Sequence, residues 1–316
     1  MKLQTIVEPK HEGQKLDIGS KVLLLGSCFT DSIGRKMEYF GFQCCRNPFG
    51  ILYNPFSIAT ALEHCIAGKD ITECDLVCQN NVWHSWLHHS SFSDVDKDKC
   101  LENCNAAIHR AHNFLKHANY VIITWGTALV YTLKEKELVV GNCHKMPGTM
   151  FHRGMASVAD VVERYTQLVK HLQAYNPQAK IIFTVSPIRH WKEGYRENLL
   201  SKSVLHLAID ELQRTVGGCL YFPSYEIVMD ELRDYRFYDV DMLHPSTVAV
   251  EIIWEKFLNT YTDERTRQIC GMVDKYRKMK EHRPFFPEAE EYKKHLLKTE
   301  QLKTELRNLL GRDITD

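Results

Sequence analysis

Three short and almost continuous apolar runs recur along the first two thirds of the chain: Val22–Leu25, Tyr120–Trp125 and Lys180–Val185. Runs of this length are typical of strands that are buried on both faces of a parallel sheet. Each run stops abruptly at small or polar residues, which are Gly26-Ser27, Gly126-Thr127 and Ser186-Pro187. The pattern therefore predicts three central strands, each followed by a tight turn.

Segments with a helical period separate these runs. Helices are predicted between Thr30 and Gly41, over Pro55–Ala67, from Ser157 onward, over Tyr195–Thr215 and after Pro245. A short strand over Cys219–Phe222 continues the alternation. Alternating strands and helices predict an α/β fold with a mostly parallel sheet that is covered by helices on both faces.

Two segments depart from this alternation. Residues 70–118 are polar and rich in His and Trp, and they predict an inserted cap or edge hairpin followed by a helix from Lys97. Residues 263–316 are dominated by Lys and Glu and predict a C-terminal helical extension, with an amphipathic helix over Glu288–Leu310. The expected organisation is one domain over residues 1–262, with the insertion inside it, followed by this extension.

The balance of charge narrows the class of partners. The 316 residues include 40 basic and 40 acidic side chains, so no global field favours nucleic acid or an anionic membrane. The N-terminus lacks the apolar run of a signal peptide, and no stretch approaches the roughly 20 residues of a membrane span, so a cytoplasmic protein is expected. Eleven cysteines without a CxxC pair fit reduced thiols better than a disulfide framework.

Ser27 is the first candidate for chemistry. It lies in the turn after the first predicted strand, immediately before a helix. A serine hydroxyl is a useful nucleophile only when it is fixed, exposed and close to a base, and the carboxyl end of a parallel strand can supply the first two conditions. Small residues are also common in any turn between a strand and a helix, so a second feature is needed.

That second feature is the segment Asp241-Met242-Leu243-His244-Pro245-Ser246, which precedes the last core helix. Asp241 lies three positions before His244, a spacing at which its carboxylate can accept a hydrogen bond from Nδ1 of the imidazole. Nε2 is then free to take a proton from a serine. Ser27, Asp241 and His244 thus satisfy the logic of a catalytic triad, and they are predicted to meet at the carboxyl edge of the sheet.

These motifs carry a family resemblance. Gly26-Ser27 after a buried strand and Asp-x-x-His-Pro-Ser before the last helix resemble the SGNH/GDSL hydrolase superfamily. The opening Gly26-Ser27-Cys28-Phe29-Thr30, together with Asn47-Pro-Phe-Gly50 and Ser186-Pro-Ile-Arg-His190, more closely resembles the GSCFA domain family. The resemblance covers about residues 20 to 260. It implies a three-layer α/β/α sandwich and ester or acyl-group chemistry without a cofactor, with Ser27 as nucleophile, His244 as base and Asp241 as its orienting partner.

The resemblance also implies an oxyanion hole, the group of hydrogen-bond donors that stabilises the negatively charged oxygen of the reaction intermediate. Its expected members are the amides of Ser27 and Gly50. The superfamily usually adds an asparagine in a Gly-x-Asn block after the central strand, whereas this chain has Gly126-Thr127-Ala128. Thr127 is therefore the predicted third donor, and Asn54 is the alternative. Loss of one such donor costs about 10²- to 10³-fold in rate, so activity could survive the difference.

Substrate contacts are expected from two loops. The segment from Asn47 to Asn54 contains two Asn-Pro pairs, which fix the backbone, and it is expected to line the pocket. Arg189 and His190 follow the third strand and so share a sheet edge with Ser27. Asn47, Asn54, Arg189 and His190 are the predicted substrate-binding residues.

Other interpretations of individual residues remain open. Cys28 lies near the start of a helix, which lowers a thiol pKa, so it could replace Ser27 as nucleophile. Lys145 and Arg153 could hold an anionic group of the substrate. No metal site is predicted, because the candidate ligands lack a recognisable metal spacing; they are Cys143, His144 and His152, and separately His84, His88 and His89.

The sequence therefore predicts a serine hydrolase that acts on an acyl ester of a small molecule or glycan, with a carbohydrate ester as one candidate. An O-acyltransferase is the alternative within enzymes, because an acceptor hydroxyl can replace water in resolving the same acyl-enzyme. A binding protein that retains the fold without its activity is the alternative from another class. The sequence makes no prediction of oligomeric state.

Overall fold

The computed structural model describes residues 4–11 and 13–313, and a five-stranded parallel sheet forms its centre. The strands of the protein are β1 Lys21–Gly26, β2 Gln43–Arg46, β3 Leu76–Gln79, β4 Val82–Ser85, β5 Tyr120–Trp125, β6 Leu129–Leu133, β7 Leu138–Val139, β8 Phe151–Met155, β9 Lys180–Val185 and β10 Cys219–Tyr221. The helices are α1 Cys28–Tyr39, α2 Pro55–Ala67, α3 Lys97–Leu115, α4 Val158–Tyr175, α5 Tyr195–Thr215, α6 Ser224–Glu226, α7 Thr247–Tyr261, α8 Glu264–Glu281 and α9 Glu290–Leu310. A π-helical turn over Ile227–Glu231 continues α6.

The central sheet has the strand order β10-β9-β5-β1-β2, and every neighbouring pair is parallel. Gly26 at the end of β1 is in register with Thr124 of β5, which in turn is in register with Thr184 of β9. The carboxyl ends of these three strands therefore lie level. The chain leaves β1 for β2 on one side and returns to β5 on the other, and in open α/β sheets such a switch point is where ligands bind.

Alternate residues of each strand face opposite sides of the sheet and divide the core in two. Leu23, Leu25, Val121 and Ile123 pack with α2, α3, α4 and α5. Val22, Leu24, Tyr120 and Ile122 pack with α1, the π-helical turn and α7. The predicted three-layer α/β/α arrangement is confirmed, because a sheet that is apolar on both faces buries them only between two layers of helices.

The predicted insertion has two different parts. A two-stranded antiparallel hairpin, β3 with β4, fits the expected edge hairpin. By contrast, α3 belongs to the core that also contains α2, α4 and α5. Its residues Cys100, Cys104 and Ile108 are fully buried in that core. A second antiparallel sheet, in the order β7-β6-β8, lies at the carboxyl edge of the central sheet. It forms one wall of the cavity that contains the candidate active site.

The C-terminal segment forms two helices, α8 and α9, that pack on each other through Ile269, Val273, Tyr276 and Leu306. α8 also packs on the domain, because its Cys270 is buried in the same core as residues of α1 and α7. No helix among the described residues has both the length and the apolar character needed to cross a membrane.

Candidate active site

Ser27 is held at the switch point of the sheet by the turn between β1 and α1. Gly26 has a φ of +146°, and a Cβ on it would lie 2.3 Å from the carbonyl oxygen of Thr124, so only glycine fits between the two strands. The amide of Gly26 donates to Oδ1 of Asn47 at 2.9 Å, and its carbonyl accepts from the amide of Leu52 at 3.0 Å. The position of Ser27 is therefore fixed from both sides.

The hydroxyl of Ser27 is buried, and within the described residues it has no hydrogen-bond partner. Ser27 is the N-cap residue of α1, but its side chain does not cap the helix. The first amides of a helix lack partners inside the helix and give it a positive end. The hydroxyl of Ser27 thus lies beside the amides at the start of α1. Such amides can stabilise the oxyanion that forms when a nucleophile attacks a carbonyl group.

Asp241 and His244 form the predicted acid–base pair in the loop before α7. Oδ2 of Asp241 lies 2.5 Å from Nδ1 of His244, and Oδ1 accepts the amides of Leu243 and His244, both at 2.9 Å. These two backbone hydrogen bonds, followed by that of the imidazole, lower the pKa of Asp241 to about 2. The carboxylate is therefore ionised and fixes the imidazole with Nε2 directed away from it.

Ser27 and His244 line one cavity of about 840 Å³. Asp241 and His244 are in contact, but no hydrogen bond joins His244 to the hydroxyl of Ser27. The cavity is bounded by the carboxyl edge of the central sheet, by the second antiparallel sheet and by the loops around His190 and His244. The nucleophile and base predicted from opposite ends of the domain are thus placed around one space.

Gly50 is not placed in the predicted oxyanion hole. Its amide donates to the carbonyl oxygen of Asn47 at 2.7 Å, closing a tight turn, and Gly50 does not line the cavity. A Cβ at Gly50 would lie 2.4 Å from Cβ of His89, so the glycine is required by close packing in this loop. The amide of Gly50 is therefore unavailable to a substrate.

Thr127 lines the cavity, but its amide donates to the carbonyl oxygen of Tyr53 at 3.0 Å. Its hydroxyl lies 3.0 Å from the hydroxyl of Ser201 and accepts the amide of Leu129 at 3.1 Å. When Ser201 donates to Thr127, the Thr127 hydroxyl is free to donate into the cavity. Of the two donors of Thr127, the hydroxyl is therefore available to an oxyanion and the amide is not.

The predicted substrate-binding residues divide into three that line the cavity and one that lies behind it. Asn54, Arg189 and His190 line the cavity. Asn54 also caps α2 by accepting the amide of Ser57 at 2.9 Å. Asn47 is buried behind the turn of Ser27, where it supports Gly26 and has no place in the cavity wall.

His190 is a half-buried neutral imidazole in the cavity wall. Burial, and then the charges of Lys202 and His244, lower its pKa to about 4. Its ring meets that of Tyr53 edge to face at 5.6 Å, and its Nε2 is buried without a hydrogen-bond partner among the described residues. His190 can therefore donate or accept one hydrogen bond with a ligand but carries no charge near neutral pH.

The other candidate residues have separate places. Cys28 lines the cavity with its sulfur 3.6 Å from the hydroxyl of Tyr53. His144 uses both ring nitrogens in contacts, to Ser90 and to the backbone of Ser85. Within the described part of the chain, no group of three or more His, Cys, Asp or Glu side chains has the geometry of a metal site.

Lys202 is the residue of this site that the sequence did not predict. Its side chain is fully buried and donates to the carbonyl oxygens of Gly126 and Ser186 at 2.7 and 2.6 Å. These carbonyls end β5 and β9, so Lys202 joins the two strands beneath the cavity. The available signal was its position on the apolar face of α5, in phase with Leu205 and Ile209.

The profile of the GSCFA family matches residues 21–257, and no curated protein sequence matches the chain. A Streptococcus pneumonia protein named for platelet activating factor shares 10% identity at a TM-score of 0.40, over 77% of this chain and 84% of that one. A carbohydrate esterase of family 3 from Talaromyces cellulolyticus shares 10% identity at a TM-score of 0.33, over 81% of this chain and 99% of that one.

A family two carbohydrate esterase from Clostridium thermocellum, solved in complex with cellohexaose, shares 12% identity at a TM-score of 0.35. The match covers 77% of this chain and 65% of that one.

Proposed function

The chain belongs to the GSCFA family, as its motifs predict, and from that premise and the geometry of the cavity we propose that it hydrolyses acyl esters with Ser27 as nucleophile. The observation that carries the proposal is the ionised Asp241 bound to Nδ1 of His244, with Nε2 and the unpartnered hydroxyl of Ser27 around one cavity. The proposed substrate is an acyl ester of a small molecule or glycan.

In the proposed reaction, the Ser27 side chain turns toward His244, and Nε2 of His244 takes the hydroxyl proton as Oγ attacks the ester carbonyl carbon. The carbonyl oxygen becomes an oxyanion. The C–O bond to the alcohol then breaks, and His244 returns the proton to the departing alcohol oxygen. Water repeats these steps on the acyl-enzyme, which releases the carboxylic acid and restores Ser27.

Asp241 acts by orientation and charge in this mechanism. Its carboxylate accepts Nδ1–H of His244, so the neutral imidazole has its lone pair on Nε2, and it stabilises the imidazolium that forms. The low pKa of Asp241 means that the carboxylate is present throughout the pH range in which the imidazole is neutral. The proton therefore stays on His244 and does not pass to Asp241.

The proposed oxyanion donors are the amides at the start of α1, including that of Ser27, and the hydroxyl of Thr127. Free helix amides favour a developing negative charge because their partial charges are fixed in position before the reaction. Loss of the Gly50 amide from this set leaves fewer donors than the family resemblance implied. A slow hydrolase is the expected consequence.

A fluorophosphonate probe tests this proposal without requiring the natural substrate, because it reacts with an activated hydroxyl. Wild type is expected to be labelled slowly but measurably, and Ser27→Ala and His244→Ala are expected to abolish labelling. Asp241→Asn is expected to slow labelling by about 10²- to 10⁴-fold, because the asparagine holds the wrong tautomer of His244. Circular dichroism of each variant checks that the fold is retained.

Cys28→Ala is the matched control at the neighbouring cavity residue. It is expected to be labelled almost as fast as wild type, since its sulfur is not required for activation of Ser27. The proposed nucleophile is wrong if Ser27→Ala is labelled as fast as wild type. A folded wild type that is never labelled would instead favour the non-catalytic binding protein.

A further inference from the structure

The charged side chains in the cavity wall have a strong imbalance of sign. Lys145, Arg189 and Lys192 are cationic, and Glu193 is the one carboxylate among the described residues that line the cavity. The negative charge of Glu193 is partly offset by Arg153, which does not line the cavity. Oε1 of Glu193 lies 3.8 Å from a guanidinium nitrogen of Arg153. The charged side chains that line the wall therefore carry a net positive charge.

Arg189 is the most informative of these cations. Its side chain is half-buried, and its guanidinium has one polar side-chain contact among the described residues, 3.3 Å from Sδ of Met229. A thioether is a weak acceptor, and no carboxylate of the described chain lies within ion-pair distance. The guanidinium therefore keeps donors that can bind an anion in the cavity.

A buried lysine, Lys202, lies near Arg189 behind the cavity wall. Burial, and then the charge of Arg189, lower the pKa of Lys202 to about 7. The charge of Lys202 in turn helps to lower the pKa of His190. Lys202 thus lies within electrostatic range of both Arg189 and His190. An anion bound at Arg189 would oppose the repulsion between Arg189 and Lys202 by attraction.

Lys192 extends the positive surface toward the opposite wall. Its charge acts on the thiol of Cys143, for which burial raises the pKa and Lys192 partly opposes the rise. Cys143 belongs to the loop that contains Lys145. Cationic groups therefore flank the space in front of Ser27 from two elements, while the base His244 occupies a separate loop.

We propose that the substrate is an ester carrying an anionic group, either carboxylate or phosphate, that Arg189 binds while the ester carbonyl lies at Ser27. This inference rests on the proposed function. Carboxylate and phosphate share the planar or near-planar pairs of oxygens that a guanidinium binds with two hydrogen bonds. Lys192 and Lys145 act at longer range, and Arg153 offsets part of the opposing charge of Glu193.

Two matched pairs of aryl esters test the proposal with the full-length chain. One pair places the charge on the acyl side: mono(4-nitrophenyl) succinate and its neutral methyl ester. The other places it on the alcohol side: 4-acetoxybenzoic acid and its methyl ester. For at least one pair, the wild type is expected to show a kcat/KM about tenfold higher for the acidic member, as one charge-assisted contact supplies about that factor.

Variants of Arg189 identify the group responsible. Arg189→Gln is expected to remove most of the preference for the acidic ester over the neutral one, through KM. Arg189→Lys should retain part of it, because the charge remains. Arg196→Gln removes the same charge from an exposed position outside the cavity wall and should retain the wild-type preference. The preference should also fall as salt is raised.

A binding measurement separates failure of this inference from failure of the proposed function. Calorimetric titration of Ser27→Ala with 4-acetoxybenzoic acid, mono(4-nitrophenyl) succinate and their methyl esters reports charge preference without hydrolysis. Equal hydrolysis and equal binding of both members of each pair would overturn the anionic substrate and leave the hydrolase intact. Preferential binding of an acid by Ser27→Ala, lost on adding Arg189→Gln, with no hydrolysis by wild type, would support the anion site and overturn the hydrolase.

Discussion

Lys202 shows how one side chain can determine the properties of a site without contacting a substrate. Its ammonium group is fully buried, binds two backbone carbonyls and lies 5.8 Å from the centre of the Tyr225 ring, with no carboxylate within ion-pair distance among the described residues. Neutral acceptors compensate only part of the lost hydration of a cation. The folded protein consequently favours the neutral amine, and the pKa falls from 10.5 to about 7.

This depressed pKa predicts a stability that rises with pH. Between pH 7 and 10.5 the unfolded chain binds a proton at Lys202 that the folded chain has largely lost, so the contribution of this residue to stability rises with pH. From pH 7 to 9 the free energy of unfolding is expected to gain about 2 kcal/mol from this residue. Urea denaturation at the two pH values measures the change.

Lys202→Met is expected to remove this part of the pH dependence, because methionine does not titrate. Lys170→Met, at an exposed position of α4, should retain it. Equal slopes of stability against pH in wild type and Lys202→Met would contradict a neutral buried amine in the folded protein.

At the scale of an element, the turn between β1 and α1 depends on close contact between two strands. The absence of a side chain at Gly26 lets the carbonyl of Thr124 approach, and Asn47 and Leu52 hold the backbone of Gly26 from the neighbouring loop. Asn47 has a positive φ of 43°, a conformation that asparagine tolerates better than most residues. The orientation of Ser27 is therefore a property of two adjacent segments.

Gly26→Ala is predicted to destabilise the protein by about 2–4 kcal/mol, since it combines an unfavourable φ with a backbone clash. It should also reduce fluorophosphonate labelling of whatever protein remains folded, because β1 and β5 must separate to admit the methyl group. Gly154→Ala is the control, as nothing lies within 4 Å of its added Cβ. Thermal unfolding and labelling are the two measurements, and a Gly26→Ala variant as stable as Gly154→Ala would contradict the prediction.

The elements that the sequence predicted well are those with a strong and local signal. β1, β5 and β9 are continuous apolar runs, and the predicted and observed bounds of α2 and α5 agree. β2 was missed because its four residues are half-buried and mixed in polarity at the edge of the sheet. β8 was missed because three of its five residues are exposed, so no alternation of apolar positions marks it.

The same contrast between local and non-local signals applies to the candidate site. The pairing of Asp241 with His244 follows from a spacing of three residues within one turn, which is local information. The misassignment of Gly50 arose because the amide's actual acceptor, the carbonyl of Asn47, depends on the shape of the loop. The contacts of Lys202 and Arg189 join distant segments, and their partners cannot be read from spacing along the chain.

At the scale of the whole molecule, the described residues of the C-terminal helices take no part in the wall of the site. None of the described residues that line the cavity belongs to α8 or α9. α9 is mostly exposed, and Leu306 is the fully buried residue through which it joins Ile269, Val273 and Tyr276 of α8. The helices therefore contribute to stability and are not expected to influence the reaction directly.

Leu306→Ala is predicted to lower the free energy of unfolding of the part containing α8 and α9 by about 2–4 kcal/mol, as it leaves a cavity between them. Labelling of Ser27 at a temperature where the protein stays folded should be unchanged. Leu297→Ala, at a position 65% exposed on the same helix, is the control and should change neither quantity appreciably. A loss of labelling in folded Leu306→Ala would show that α9 is coupled to the site.

The position of β1 in the middle of the sheet has a consequence for the order of events during synthesis. Ser27 emerges from the ribosome early, but its strand gains β5 as a neighbour only after about a hundred further residues, and His244 follows later still. A nascent chain that ends before Asp241 holds the serine without its proposed base. In the proposed mechanism the hydroxyl therefore gains its reactivity only when nearly the whole domain has been made, and incomplete chains are expected to be inert toward esters.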